Sequence, residues 1–189
     1  MSTEYTIYNL ENAPEQARDT LKQVKANYGF LPNLLGLMAE APALAKAYAS
    51  IAGIFEETSF SASEKQTVLL AASYVNECAY CVAAHSTVAQ LSKVPEDVVE
   101  ALRNGQPLAD RKLQALRRLT EDVVETRGWP SEETVEEFLS VGYGRQQILE
   151  VIVGVAMKVL SNYTNHIADT PLDEAFAANE WRREAAPVN

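Results

Sequence analysis

The chain has 189 residues, 47% of them hydrophobic, which is enough for one substantial core and excludes a disordered or fibrous class. A net charge of −10 and a pI near 4.7 set it against phosphate backbones and anionic membranes, so neither nucleic acid nor membrane is an expected partner. The acidic opening residues carry no basic-then-apolar secretory run, and a soluble cytoplasmic protein is expected.

Helical spacing of apolar residues dominates and β-type alternation is nearly absent, which predicts a single all-α domain over 1–189. The first helix is predicted over 13–28 with Gly29 as its stop, followed by a turn at 30–33 and helices over 34–38 and 42–57. Ser61 and Glu64 fit a capping box opening a helix that runs to about Val75. Asn76 and Glu77 punctuate, and another helix covers about 78–91. Pro95 begins a short helix over 96–103 that Asn104 and Gly105 end. Asp110 caps a helix over 111–127, and Ser131 caps one reaching about Ser140. Between those two, Trp129 is read as the anchor of the turn before Pro130. A long apolar helix follows over about 146–166. Its Glu150 and Lys158 are read as serving pairing at an interface. Pro171 closes a core of about 13–172, and the tail over about 182–189 is expected to fray. Gln66 and His85 stand 19 residues apart, as do Gln147 and His166, an echo best read as chance.

Both cysteines fall in Cys78-Ala79-Tyr80-Cys81, with His85 four residues after the second. On a helix these three share one face. A helix start also offers free amides and the positive end of the macrodipole, both of which favour a thiolate. His85 is placed to accept a proton from Cys81 and return it to a leaving group. In a reducing compartment such a pair is catalytic or metal-binding rather than a permanent staple. Two other readings stay open. The cysteines can be small buried thiols, or Cys78, Cys81 and His85 can bind zinc, although they supply three ligands and nothing places His166 as a fourth.

The segment running from Ser63-Glu64-Lys65-Gln66 through Asn76-Glu77-Cys78-Ala79-Tyr80-Cys81 to His85 resembles the AhpD-like alkylhydroperoxidase, or carboxymuconolactone decarboxylase-like, family. The stretch 149–172, with Asn162, Asn165 and His166, resembles the closing helix of its members. The resemblance implies an all-helical bundle assembled into trimers or hexamers. It also implies a thiol peroxidase or disulfide oxidoreductase acting on a small hydroperoxide. In that reading Cys81 attacks, Cys78 resolves to a Cys78–Cys81 disulfide, His85 shuttles the proton, and an external dithiol or thioredoxin-like donor reduces the product. No cofactor or metal is implied. A decarboxylase-like lyase is an alternative, though that branch works without a CxxC. A non-enzymatic thiol redox sensor is another.

The family's glutamate, 12 residues before the first cysteine, falls here on Gln66, which orients but does not titrate. Gln66→Glu is therefore expected to speed peroxide turnover if the site is a diminished relay, and no gain would argue against that account. Glu64 lies on another face of its helix, where capping accounts for it, and Glu77 is a possible acid beside Cys78. Supporting candidates are Tyr80, either a hydrogen-bond donor at the site or a packing residue, and Asn162 with His166, which share a helix face.

Overall fold

Helix α1 (Glu15–Tyr28) forms because Ala17, Leu21 and Val24 recur on one face, and Gly29 closes it at φ 79°, where its N–H reaches the carbonyl of Lys25. The computed structural model describes residues 4–183. It continues with α2 (Asn33–Met38), α3 (Pro42–Glu56), α4 (Ala62–Val75), α5 (Ala79–Leu91) and α6 (Glu96–Arg103). Then come α7 (Arg111–Glu125), α8 (Glu132–Ser140), α9 (Arg145–Ala168) and a 3₁₀ segment, Glu174–Asn179. The all-helical, single-domain expectation is met. Local chemistry sets most boundaries. The Ser61 hydroxyl accepts from the Glu64 amide at 3.3 Å while the Glu64 carboxylate accepts from the Ser61 amide at 2.8 Å. Asp110 and Ser131 cap α7 and α8 as expected. Each such cap is worth about 1 kcal/mol.

The central helix is α4, buried continuously from Gln66 to Ser73, with α5, α6, α7 and α9 packed around it. On its other side α9 meets α3, and side chains of α3 and α4 press on the α9 backbone there. A Cβ on Gly154 would lie 2.6 Å from Val68 and 2.8 Å from Phe55, so only glycine lets α9 approach at this level. The inward face of α9 carries Val151, Gly154, Lys158, Ser161, Asn162 and Asn165, and it turns polar at the depth of α5's first turn. No helix among the described residues is long and apolar enough to cross a membrane.

The structure departs from expectation in three places. Packing does not end near 172, because Phe176, Asn179 and Trp181 are buried and the 3₁₀ segment lies on α5. Of the tail expected to fray, Arg183 bonds Glu77 at 2.6 Å and stacks on Tyr74, while residues 184–189 lie outside the described residues. Trp129 anchors nothing. Its indole is 84% exposed, and the turn is held by its amide bonding to the Thr126 hydroxyl. The repeat echo is also empty, since Gln147 accepts from the Gly144 amide at the start of α9 and His166 lies exposed.

Candidate active site

The α4–α5 corner builds the thiol pair. Glu77 takes a left-handed conformation, φ 54°, and turns the chain so that Cys78 becomes the N-cap of α5. The Cys78 amide donates to the Ser73 carbonyl at 3.0 Å, which locks the corner onto the end of α4. Cys81 then sits in the first turn of α5. Both thiols are free and buried, at 1% and 2% exposure. From α9, one amide group serves both sulfurs: Asn165 Nδ2 donates to Cys81 Sγ at 3.2 Å and to Cys78 Sγ at 3.5 Å.

The two thiols are not equivalent. Burial opposes ionisation of Cys81, yet hydrogen bonds from Cys78, Ser161 and Lys158 and the Lys158 charge hold it well below the ordinary thiol range. Cys78, donating to Cys81 and itself buried, is pushed far up. The two shifts run in opposite directions, Cys81 toward the thiolate and Cys78 toward the thiol.

His85 Nδ1 is 3.2 Å from Gln66 Oε1, and its Nε2 is 2.9 Å from Lys158 Nζ. An ammonium has only donors, so Nε2 accepts and Nδ1–H donates to Gln66. Both ring nitrogens are thus engaged, and neither is left for a sulfur in this arrangement. Burial, and then the Lys158 charge, keep His85 well below the usual imidazole range and therefore neutral. The sequence reading of a direct His85–Cys81 exchange is replaced by a chain in which Lys158 stands beside both. Lys158 itself is fully buried. Lys158 therefore does not reach an interface as the sequence suggested, and Glu150 is held by Ser59 and Gln146 at the start of α9.

The remaining candidates are placed elsewhere. The Tyr80 hydroxyl donates to Asp173 at 2.5 Å and its ring meets Phe176 edge-on, so it ties down the 3₁₀ segment rather than serving a sulfur. The same Asp173 carboxylate accepts from the Asn33 amide that opens α2. Asn162 is buried but accepts from Asn76, bracing the α4–α5 corner. His166 is exposed. Glu64 is held by Ser61, Tyr143 and Lys112, and exposed Glu77 pairs with Arg183, so neither acid faces the thiols.

A cavity of about 620 Å³ opens between α1, α3 and α5, with His85, Gln66, Tyr48, Tyr80, Met157 and Phe176 among its walls. The sulfurs lie behind this wall. Tyr48 and His85 are among its walls and neither cysteine is. Sequence reasoning missed Lys158, Ser161 and Asn165 as site residues and Tyr48 altogether. One signal was available on α9, because Lys158 and Asn162 are four apart and Asn165 is seven from Lys158, so a single helix face carries all three.

Residues 42–122 match the model of the Carboxymuconolactone decarboxylase family, a span that contains Gln66, Cys78, Cys81 and His85 but none of the α9 residues. No curated protein sequence matches the chain. Solved structures share the fold over nearly the whole length. An AhpD-core, peroxidase-related protein from Ralstonia eutropha is 18% identical, with a TM-score of 0.80 over 92% of this chain and 93% of that one. A variant of the debrominase Bmp8 in complex with 2,3,4-tribromopyrrole is 20% identical, with a TM-score of 0.79 over 95% and 96%. A peroxidase-related protein from a Silicibacter species is 18% identical, with a TM-score of 0.72 over 93% and 95%.

Proposed function

Taking this chain as a carboxymuconolactone decarboxylase-type protein with the AhpD-like fold, we propose that it is a CxxC thiol oxidoreductase that reduces small organic hydroperoxides. The observation that carries the reading is the pair of buried free thiols under one Asn165 amide, with Cys81 drawn toward the thiolate and Cys78 away from it. A thiolate is the nucleophile toward a peroxide O–O bond, and a protonated neighbour is the resolving thiol. The Cys81 sulfur attacks the terminal oxygen, becomes a sulfenic acid, and Cys78 closes the disulfide with release of water. An external dithiol or thioredoxin-like donor then restores both thiols by exchange. The cavity supports an organic rather than an inorganic peroxide, since its volume far exceeds that of hydrogen peroxide and its walls are largely aromatic and aliphatic.

The test couples loss of tert-butyl hydroperoxide to a dithiol donor for the wild type, Cys78→Ser and Cys81→Ser. Both variants are expected to lose catalytic turnover, with Cys81→Ser also losing the first oxidation step. Turnover equal to wild type in both sinks the peroxidase reading, and a Cys81-independent first step reverses the assignment of the attacking thiol.

A second reading is favoured by the aromatic lining of the same cavity, which suits a flat ring. A soft thiolate also takes bromine from an activated ring, the C–Br bond breaking as an S–Br bond forms and the ring carbon gaining a proton; the Cys78 sulfur then displaces bromide to close the same disulfide, and a debrominase shares the fold. Bromide release from a bromopyrrole in the coupled assay separates the two substrates. Self-association through α9 belongs to the proposal as well, supported by its outward apolar stripe of Leu149, Ile152, Tyr163 and Ile167.

A further inference from the structure

We propose that Lys158 is the counter-charge of the Cys81 thiolate and the acid that protonates the oxygen leaving from the substrate, so that the site runs on a thiolate–ammonium couple. This deepens the thiol-redox reading and rests on it. The argument begins with a placement that is costly unless something answers it. Lys158 is in the middle of α9 with none of its surface exposed, and a buried ammonium without a partner is strongly unfavourable. Among the described residues no carboxylate forms an ion pair with it. Its one neutral partner is His85 Nε2 at 2.9 Å.

The groups around it come from three helices. From α3 there is Tyr48, whose phenol burial keeps protonated. From the α5 turn there are Cys78, held as a thiol by its bond to Cys81, and His85, held neutral. From α4, where a carboxylate would otherwise compete for the charge, Gln66 holds the far side of the His85 ring. Cys81 is left as the anion that answers Lys158. The amide at Gln66 then has a positive role. It fixes the His85 tautomer without supplying a second negative charge, so the lysine's field falls on the sulfur.

The chemistry balances on these residues. The Cys81 thiolate attacks the terminal oxygen of R–O–O–H, the S–O bond forms and the O–O bond breaks. The electron pair leaves on the alkoxide, and Lys158 passes its proton to give R–OH and a neutral amine. The Cys78 sulfur then displaces the sulfenic hydroxyl, and the thiol's proton departs with that hydroxyl as water. The two thiols have lost two electrons to the peroxide. The oxidised site holds a neutral disulfide beside a neutral amine, with no buried charge unpaired. Reduction by the external dithiol restores thiol and thiolate, and the amine takes its proton back.

A general acid matters where the leaving group is a strongly basic alkoxide and hardly at all where it is a carboxylate, so alkyl hydroperoxides and peracids separate the acid role from the charge pairing.

The test uses the full-length reduced protein as wild type, Lys158→Met and Lys158→Arg, with Lys158→Gln as a second neutral variant should the methionine form fail to fold. Thiolate ultraviolet absorbance is titrated against pH in a Cys78→Ser background, where the hydroxyl keeps a donor beside Cys81. Single-turnover oxidation is then measured with tert-butyl hydroperoxide and with peracetic acid, each rate divided by the thiolate fraction. The neutral variants are expected to move the thiolate midpoint up by at least one pH unit, about a tenfold loss of thiolate near neutrality. They are also expected to slow the alkyl hydroperoxide roughly 10²-fold while slowing the peracid far less. Lys158→Arg should restore the midpoint. An unchanged midpoint overturns the charge pairing, and equal slowing of both oxidants overturns the acid role. If the wild type forms no Cys78–Cys81 disulfide with either oxidant, the peroxidase reading fails, while the titration still decides the pairing.

Discussion

Replacing Asn165 by leucine separates thiol chemistry from fold stability. Its Nδ2 donates to Cys81 Sγ at 3.2 Å and to Cys78 Sγ at 3.5 Å, while its Oδ1 has no partner among the described residues. The substitution therefore removes a donor to the thiolate and leaves no other side chain orphaned. A hydrogen bond to a charged group contributes about 1.5–3 kcal/mol, and a soft sulfur acceptor at this distance belongs at the lower end. At 1.36 kcal/mol per pH unit, Asn165→Leu is expected to raise the Cys81 thiolate midpoint by about one unit. Stability should hold or improve, because an apolar side chain of similar volume replaces a buried, half-satisfied amide. The assay is a thiolate absorbance titration in the Cys78→Ser background, with thermal melts of the same samples. An unmoved midpoint would refute the amide's role at the sulfur. A large fall in Tm would show that Asn165 holds the fold rather than the thiols.

With Lys158 supplying the acid, Gln66→Glu should give no gain in peroxide turnover despite placing a carboxylate at the 3.2 Å contact with His85 Nδ1; a clear rate gain would mean that the histidine relay limits and that Lys158 does not suffice. Tyr80→Phe removes the 2.5 Å bond to Asp173, a charge-assisted contact worth about 1.5–3 kcal/mol, and should lower Tm by several degrees while leaving single-turnover oxidation near wild type. A loss of the chemical step with an unchanged Tm would place Tyr80 in the chemistry after all. Stability of the reduced protein should also depend on pH in a way the disulfide form does not share. Cys81 is depressed in the fold, so its contribution is complete above the ordinary thiol pKa of about 8.5 and fades as pH falls through its folded value. Cys78 is raised, so stability should decline again above about 8.5, where only the unfolded chain releases that proton. Denaturant melts of reduced and oxidised protein across pH 6–10 would check this, and parallel curves for the two forms would contradict it.

Local sequence determined most of the helices and the position of the thiols. Apolar spacing, the Ser61–Glu64 box, the Asp110 and Ser131 caps and the Gly29 stop each act within a few residues, so α1 to α9 were legible without knowing what they pack against. Cys78, Cys81 and His85 were legible for the same reason, since one helix turn brings them to one face. The contents of the rest of the site were a tertiary decision. Lys158 reaches His85 across 73 residues of sequence and Asn165 reaches Cys78 across 87. Helical periodicity shows which face of α9 turns inward, but not that its lysine is buried against His85 rather than turned to an interface. The same limit misled the reading of Trp129, whose size suggested burial that no neighbour provides, and kept the bond from Tyr80 to Asp173 at the far end of the chain out of view. The segment supplied two thiols. The packing of α9 against α3 and α4, close enough only because residue 154 is glycine, brought Asn165 onto both sulfurs and set the two thiols apart.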